Sequence, residues 1–435
     1  MKRLFKNMGW LLGGRGFNAV LSLVYLALAT RTLGLEGFGW FAAIVALGQV
    51  VAGVVNFQTW QFIVRWGANG ASSGGSSAAS EATGFAIALD TLSIVVGTVL
   101  AAILVSSAPL WLPIPTELLW LTFGYCVVSL ISIRTTPTGL LRLRFKYATA
   151  TAAEAVQPII RAVGAILAAL FMPTVTGFIL AYAVSELAVA AALWIAAART
   201  EKIDLSCYSF TRIPAMHPDA WRFVLSTNMS GSLTIAGKQL MILLVGTFGG
   251  AALLGGFRVA SQLGQALVEL AKTISKAILP ELVHAKDDAL NMARRMANIA
   301  LIGGVIAVLV AIFAGRWGLE ALAGGEFNGF YWAMVILSIA GAVELIGASL
   351  ESLLVSAGKA GTAFLVRAVP TVLALALLDV AIDWNGAKGA AFAVLGSSSL
   401  AVIGFYVAIL NSQQIRFDTR GVDKTRVPEP EPDRP

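Results

Sequence analysis

The sequence is a succession of long apolar stretches, and its Lys and Arg residues fall mainly on alternate connections between them. Hydrophobic residues make up 57% of the 435 residues and charged residues only 13%, which is too little charge to cover a soluble protein of this length. A bilayer core is ~30 Å thick, and about 20 apolar residues in a helix cross it. Because a backbone in lipid must satisfy its hydrogen bonds internally, the stretches are predicted to be helices.

Twelve stretches are long and apolar enough to span a membrane, which predicts an all-α polytopic membrane protein. They cover roughly 9–31, 38–64, 82–107, 117–137, 150–171, 174–198, 223–248, 251–279, 296–315, 329–356, 361–382 and 388–411. A polar segment separates six of them from the other six. We therefore expect an N-terminal lobe (1–199), a cytoplasmic linker (200–222), a C-terminal lobe (223–411) and a disordered cytoplasmic tail (412–435).

The basic residues predict the orientation. With the N-terminus in the cytoplasm, 23 of the 31 Lys and Arg residues lie in cytoplasmic loops or at cytoplasmic helix ends, Arg134 among them. The opposite side holds Arg31, Arg316 and Lys388. Such an excess marks the cytoplasmic side, so both termini are expected there. The net charge of +7 then reflects topology and does not indicate nucleic-acid binding.

The two halves repeat short sequence patterns. The segment ALGQVV at 46–51 matches QLGQAL at 262–267, an offset of 216 residues. RAVGAILAAL begins at Arg161 and RAVPTVLALA begins at Arg367, an offset of 206. Each half has an even number of predicted helices, so both insert in the same direction. The pattern therefore predicts two six-helix lobes related by a pseudo-two-fold axis along the membrane normal.

Three cations lie at different depths along the predicted interface between the repeats. A charge in a membrane helix costs about 2.5–3.5 kcal/mol on insertion scales and normally faces protein or a wet cavity. At ~1.5 Å per residue, Arg15 lies about 10 Å inside the cytoplasmic surface, Lys238 near the midplane and Arg258 about 10 Å from the outer surface. Because Arg and Lys suit phosphate groups, these residues are predicted to bind an anionic substrate.

Uncharged polar residues accompany the cations. Asn18 follows Arg15 on one face of the first helix, Gln49 lies on the second helix, and Gln265 shares a helix face with Arg258. They are candidate substrate contacts. Polar and small residues also pack membrane helices together without binding anything, and the sequence leaves this alternative open.

Two further intramembrane arginines, Arg161 and Arg367, occupy equivalent places in the repeats. A structural ion pair inside each lobe is the simpler interpretation. The acidic candidates are Glu154 or Glu186 for Arg161 and Glu344 or Glu351 for Arg367.

Three acids at membrane depth, Glu269, Asp90 and Glu186, are candidates for coupling transport to a proton or a sodium ion. Glu269 shares a helix face with Arg258, but it could instead neutralise nearby Lys272.

No cofactor is expected. The two histidines have no metal-ligand spacing, and no nucleotide-binding glycine loop occurs, so ATP-driven transport by this chain alone is not expected.

Two long segments carry a family resemblance. RTLGLEGFGWFAAIVALGQVVAGVVNFQTWQFIVRWGA (31–68) resembles the helix 1–2 region of bacterial polysaccharide flippases of the O-antigen, or Wzx, type. GGFRVASQLGQALVELAKTISKAILPELVHA (255–285), with Pro280, resembles their eighth helix. Arg65 matches the family's arginine at the end of helix 2, and the resemblance implies that it lies at the cytoplasmic entrance. Phe257 departs from the family pattern, in which Tyr is common.

The resemblance implies a protein of the cell inner membrane with two lobes around a cavity that opens alternately to each side. Its substrate would be a polyprenyl-pyrophosphate-linked oligosaccharide, an O-antigen or exopolysaccharide repeat unit, and other polysaccharide-assembly proteins would be its partners along with membrane lipids. By position, Arg15, Lys238 and Arg258 would meet pyrophosphate or an acidic sugar.

An ion-coupled multidrug exporter of the same superfamily and a polytopic glycan ligase or polymerase are the alternatives. The basic residues disfavour cationic drugs, and the short outer loops disfavour an enzyme.

Overall fold

The computed structural model describes residues 2–68, 77–201, 203–282, 289–356 and 359–411. Within them, side chains are described from Asn18 onwards, except at 19, 77, 205, 226–236, 270–300, 356, 360 and 411. All regular structure in these ranges is helical, which confirms the predicted all-α class. The helices are α1 (Lys2–Val55), α2 (Thr59–Gly67), α3 (Ser77–Ser107), α4 (Leu119–Ile131), α5 (Thr135–Leu143), α6 (Tyr147–Glu154), α7 (Val156–Phe171), α8 (Val175–Thr200), α9 (Arg212–Met216), α10 (Ala220–Leu282), α11 (Ala289–Phe313), α12 (Gly315–Ala323), α13 (Tyr331–Ser356), α14 (Ala360–Ala376) and α15 (Leu378–Asn411).

The long helix α1 folds back on itself at Gly34. This residue has φ 68° and ψ −173°, a conformation that glycine adopts without steric cost. The rings of Tyr25 and Phe41, on either side of the turn, have centroids 6.1 Å apart. In a continuous helix these residues would be separated by about 24 Å along the axis. α1 is therefore two helices joined by a sharp turn.

The same construction occurs in α10, at Gly250. This glycine has φ 78° and ψ 178° and lies 216 residues after Gly34, which is the offset of the sequence repeat. A Cβ on Gly246 would lie 2.9 Å from Leu254 Cδ2, so the two arms of α10 pack against each other. Equivalent turns in equivalent helices support the repeat that the sequence predicts.

A second pair of equivalent glycines has equivalent neighbours. Gly48 and Gly264 are again 216 residues apart. A Cβ on Gly48 would lie 3.1 Å from Ser129 Oγ, and a Cβ on Gly264 would lie 3.1 Å from Ser338 Oγ. The crossing of α1 with α4 thus has a counterpart in the crossing of α10 with α13.

Eight helical runs in the described chain are long and apolar enough to cross a membrane. The number is nine if the pair Leu301–Phe313 and Gly315–Ala323, bent by 66°, counts as one span. Two of the runs, Val20–Gly67 and Gly237–Glu269, contain the turns at Gly34 and Gly250. The number of twelve spans and the two-lobe layout stay predictions.

Two of the membrane segments are interrupted. α1 ends at Val55 and α2 begins at Thr59, while α4 ends at Ile131 and α5 begins at Thr135. The second break lies within the fourth predicted span, 117–137, and the predicted place of Arg134 at its cytoplasmic end stays a prediction. The helical run continues from Thr116 to Leu143, and Arg134 lies inside it. An ion pair with Glu186 compensates the charge there.

The interior lies mainly where α1 packs along α10. Large apolar side chains from both helices, including Phe38, Phe41, Leu254 and Phe257, are almost fully buried there. Other apolar side chains point outwards, such as Phe171, which is 81% exposed. Lipid is the natural solvent for such a surface, since soluble proteins rarely expose large continuous apolar patches.

Candidate substrate-binding site

Three of the seven tyrosines of the chain meet in the N-terminal half. Tyr25 comes from α1, Tyr125 from α4 and Tyr182 from α8, and all three are buried. The ring centroid of Tyr182 is 5.9 Å from that of Tyr25 and 6.0 Å from that of Tyr125. Gly48 makes this arrangement possible, because a Cβ there would lie 2.5 Å from Tyr125 Cε1.

Two arginines from opposite halves of the chain adjoin these rings. The guanidinium carbon of Arg161, on α7, lies 3.8 Å from the ring centroid of Tyr182 and 5.9 Å from that of Tyr25. Arg258, on α10, is close enough to interact electrostatically with all three tyrosines and with Arg161. We call these five residues the tyrosine–arginine cluster: Tyr25, Tyr125, Tyr182, Arg161 and Arg258.

One carboxylate partly neutralises the cluster. Glu186 Oε1 pairs with Arg161 Nη2 at 3.2 Å and accepts a hydrogen bond of 2.8 Å from Gln157. Its other oxygen pairs with Arg134, which also donates a hydrogen bond of 3.2 Å to Gln157 Oε1. Exposed Glu154 acts on Arg134 from further away. The ion pair predicted for Arg161 is therefore confirmed, with Glu186 as its partner.

Two side-chain polar atoms of the tyrosine–arginine cluster itself are buried without a hydrogen-bond partner among the described residues. They are the hydroxyl oxygen of Tyr25 and Nε of Arg161. Buried polar groups are normally paired, and a tyrosine hydroxyl or a guanidinium N–H left over can donate to an anionic oxygen. Among the described residues, Arg161 and Arg258 of the cluster and the neighbouring Arg134 adjoin one close carboxylate, Glu186, so this region has positive charge in excess.

In the C-terminal half, two described cations and two described carboxylates form one network. Arg367 Nη2 lies 3.3 Å from Glu351 and 3.8 Å from Glu344, which confirms the ion pair predicted for Arg367. Lys238 Nζ also lies 3.8 Å from Glu344, and its side chain is 55% exposed. Lys238 and Arg258, which the sequence places on one line of cations, have different described neighbours: Glu344 for Lys238, and Arg161 with the three tyrosines for Arg258. The line of cations stays a prediction.

The other predicted contacts are dispersed. The side chain of Arg15 lies outside the described residues. Asn18 has a buried, unpartnered Oδ1 on the same helix as Tyr25. Gln49 is half-buried, and Gln265 is exposed and donates to Ser261 Oγ at 3.2 Å.

Arg65 lies at the end of α2, where its guanidinium stacks on two aromatic rings. The centroids of Trp66 and Phe223 are 4.8 Å and 4.6 Å from its guanidinium carbon. Arg65 thus connects the end of the second span with the start of α10 through its contact with Phe223.

The three predicted coupling acids have different surroundings. Glu269 is exposed on α10, and Glu186 is occupied by its two arginines. Asp90, on α3, is only 4% exposed and accepts a hydrogen bond from Thr136. Their coupling role stays a prediction.

Tyr125, Tyr182 and Arg134 are not among the site residues that the sequence predicts. Nothing in the local pattern distinguishes them, because they come from α4, α8 and the break before α5, and only packing brings them together. Their residue types held a weak signal, since a buried tyrosine in a membrane helix needs a partner for its hydroxyl.

The helical runs define a polytopic helical membrane protein, and solved structures show that its fold is that of transporters of the MOP superfamily. A solved structure titled lipid II flippase MurJ, in an inward closed conformation, superposes with a TM-score of 0.72 at 13% identity. The match covers 92% of this chain and 87% of that one. An inward-facing multidrug resistance transporter of the MATE family gives 0.67 at 16% identity, covering 90% and 94%.

The sequence itself assigns the family. A family model described as "Polysaccharide biosynthesis protein" matches residues 28–317, so the chain belongs to this family. The inner membrane protein YghQ of Escherichia coli (strain K12) is 26% identical over 318 residues, which cover 72% of this chain and 89% of that protein.

Proposed function

We propose that this protein is a flippase that carries a polyprenyl-pyrophosphate-linked oligosaccharide from the cytoplasmic to the outer leaflet of the inner membrane by alternating access. The observation that supports the proposal most is the positive charge in excess in the tyrosine–arginine cluster. The family assignment and the flippase fold agree with it.

The chemistry of the cluster suits a pyrophosphate. A guanidinium presents its donors in a planar fork that matches phosphate oxygens, and it is less strongly hydrated than an ammonium group. The unpartnered Tyr25 hydroxyl and Arg161 Nε add two donors. Since Arg258 comes from the C-terminal half and Arg161 from the N-terminal half, an anion bound between them would connect both halves.

The carboxylate of Glu186 weakens the attraction between the arginines and an anion. Glu186 holds Arg134 and Arg161 in place and cancels part of their charge. A carrier must also release its substrate, so a moderate affinity favours turnover. Lys238, half neutralised by Glu344, would then offer a weaker second site that an anion could reach on its way.

A cation exporter is the main alternative, because MATE transporters share the fold. Such a carrier would need carboxylates available to a positively charged substrate. Glu186, Glu344 and Glu351 instead pair with arginine or lysine. The charge of the described site therefore favours an anion.

Transport by reconstituted protein tests the proposal. The purified chain would be placed in liposomes that contain a fluorescent polyprenyl-pyrophosphate disaccharide, and a membrane-impermeant quencher would report the fraction in the outer leaflet. Parallel liposomes would contain a fluorescent quaternary ammonium dye. We expect redistribution of the lipid-linked sugar and no accumulation of the dye. Dye transport without sugar redistribution would identify a drug exporter instead.

A further inference from the structure

A buried carboxylate lies where the two interrupted spans meet. Asp90, on α3, is 4% exposed. Its carboxylate accepts a hydrogen bond from Thr136, at the start of α5. The Thr136 hydroxyl is in turn hydrogen-bonded to Thr59, the first residue of α2. Helix breaks at membrane depth leave helix ends and unpaired backbone groups, which is where many transporters hold their coupling ions.

The hydroxyl groups form a chain that starts at this carboxylate. Thr136 Oγ1 donates to Asp90 Oδ2 at 2.5 Å. Thr136 Oγ1 and Thr59 Oγ1 are 2.9 Å apart, and Thr59 Oγ1 donates to Thr135 Oγ1 at 2.9 Å. Thr135 is half-buried, so the chain leads from a buried acid to a more accessible position.

The number of hydrogens in this chain depends on the protonation of Asp90. Each threonine hydroxyl has one hydrogen to donate. With Thr136 donating to Asp90 and Thr59 donating to Thr135, no hydrogen remains for the contact between Thr136 and Thr59. A proton on Asp90 would donate to Thr136, and Thr136 could then donate to Thr59. All three contacts are satisfied in that protonated arrangement.

No described charge compensates an ionised Asp90. On the elements packed around it, Arg134 pairs with Glu186, Arg142 lies over the ring of Trp60 and Arg65 stacks on Trp66 and Phe223. Arg222 is exposed on α10, and Glu81 lies nine residues away on α3. An unpaired buried carboxylate is costly, and such groups usually take up a proton instead.

We propose that Asp90, with the hydroxyl groups of Thr136, Thr59 and Thr135, forms a proton-binding site that joins the break of the second span to the break of the fourth. The bound proton forms an O–H bond with Asp90 and leaves along the threonine chain. This site is separate from the tyrosine–arginine cluster and binds no part of the carried lipid.

The position of Arg134 links this site to the cluster. Arg134 immediately precedes Thr135 and Thr136, and its side chain holds Glu186. Protonation of Asp90 reverses the bond to Thr136 and thereby acts on the start of α5, from which Arg134 extends. A change there alters the pairing of Glu186 and so the charge offered to an anion. The use of this link to drive flipping rests on the proposed function, whereas proton binding does not.

Infrared titration of the full-length protein in lipid nanodiscs tests the site without any substrate. We expect a protonated-carboxyl band that appears as the pH falls and is absent in Asp90→Asn. Thr136→Val should shift this band, because it removes the hydrogen-bond partner of the carboxyl. Thr91→Val is the matched control, since that hydroxyl donates to the Ile87 carbonyl of its own helix. It should leave the band unchanged.

Two results would overturn the inference. One is superposition of the wild-type and Asp90→Asn titrations. The other is loss of the protonated band on adding sodium at constant pH, which would assign a sodium site. If Asp90→Asn does not fold, the shift expected in Thr136→Val still decides the matter. A wild-type protein that shows the band but moves no lipid-linked sugar would refute the proposed function and leave the proton site standing.

Discussion

Gly39 and Gly255 lie against each other's helices in a reciprocal contact. A Cβ on Gly39 would lie 1.9 Å from the Ala251 carbonyl oxygen, and a Cβ on Gly255 would lie 2.2 Å from the Leu35 carbonyl oxygen. Both pairs are related by the 216-residue offset. Gly39 contacts Ala251, and the equivalent of Gly39 (Gly255) contacts the equivalent of Ala251 (Leu35). Such reciprocal contacts are characteristic of a two-fold axis. The predicted pseudo-symmetry thus has a counterpart at the place where α1 crosses α10.

The first prediction concerns this crossing. Gly39→Ala should lower the stability of the purified protein by about 1–3 kcal/mol, because its methyl group meets backbone that cannot move aside. Thermal unfolding in detergent measures the change. Gly396→Ala is the control, since nothing lies within 4 Å of a Cβ there. It should be neutral or slightly stabilising. Equal stability of the two variants would show that the helices cross less closely.

The second prediction concerns the ion pairs of Glu186. Glu186→Gln should destabilise the protein strongly, towards the lower end of the about 3–5 kcal/mol measured for breaking buried pairs, because two arginines lose their partner. Glu201→Gln is the matched control. Its pair with Arg144 involves an arginine side chain that is 42% exposed, so losing this one pair should cost less than losing both pairs of Glu186. Similar melting temperatures for both variants would contradict the account.

The fold class and the ion pairs could be predicted from the sequence because they depend on local composition. The length of an apolar segment determines whether it can span a bilayer. The internal sequence repeat places Arg161 and Arg367 in equivalent positions. A buried arginine then requires an acid within reach, which restricted its partners to a few residues.

The tyrosine–arginine cluster could not be predicted, since it depends on contacts between distant helices. Tyr125 and Tyr182 come from different helices and meet only in the folded chain. The break between α4 and α5 could not be predicted either, because apolar length alone does not show where a helix is interrupted. The helical run extends to Leu143, beyond the predicted end at 137.

The third prediction concerns Lys238. Lys238→Ala should slow flipping while changing stability by less than about 1 kcal/mol, because the lysine is 55% exposed and Glu344 keeps its contact with Arg367. Lys238→Arg should retain more activity than Lys238→Ala. Transbilayer movement per molecule of inserted protein is the measurement. Normal flipping by Lys238→Ala at equal abundance would restrict Lys238 to a structural role.

The fourth prediction concerns orientation. The excess of Lys and Arg on one side predicts that a reporter fused at Gly70 is cytoplasmic and one fused at Gly324 is on the outer side. Arg31 donates a hydrogen bond of 2.5 Å to the Ala321 carbonyl oxygen, so the turn after Arg31 and the segment before Gly324 share one end of the molecule. Reporters that both give the same side would contradict the predicted number of spans.

The most direct test of the account is transbilayer movement of the lipid-linked sugar by Arg258→Ala, Arg258→Lys and a control, Arg144→Ala, at equal amounts of folded protein. We expect Arg258→Ala to flip at least tenfold more slowly than wild type, Arg258→Lys to fall between them, and Arg144→Ala to match wild type. Inorganic pyrophosphate should inhibit wild type more than Arg258→Ala. Wild-type rates in Arg258→Ala, with unchanged inhibition, would contradict the claim that the tyrosine–arginine cluster binds the pyrophosphate.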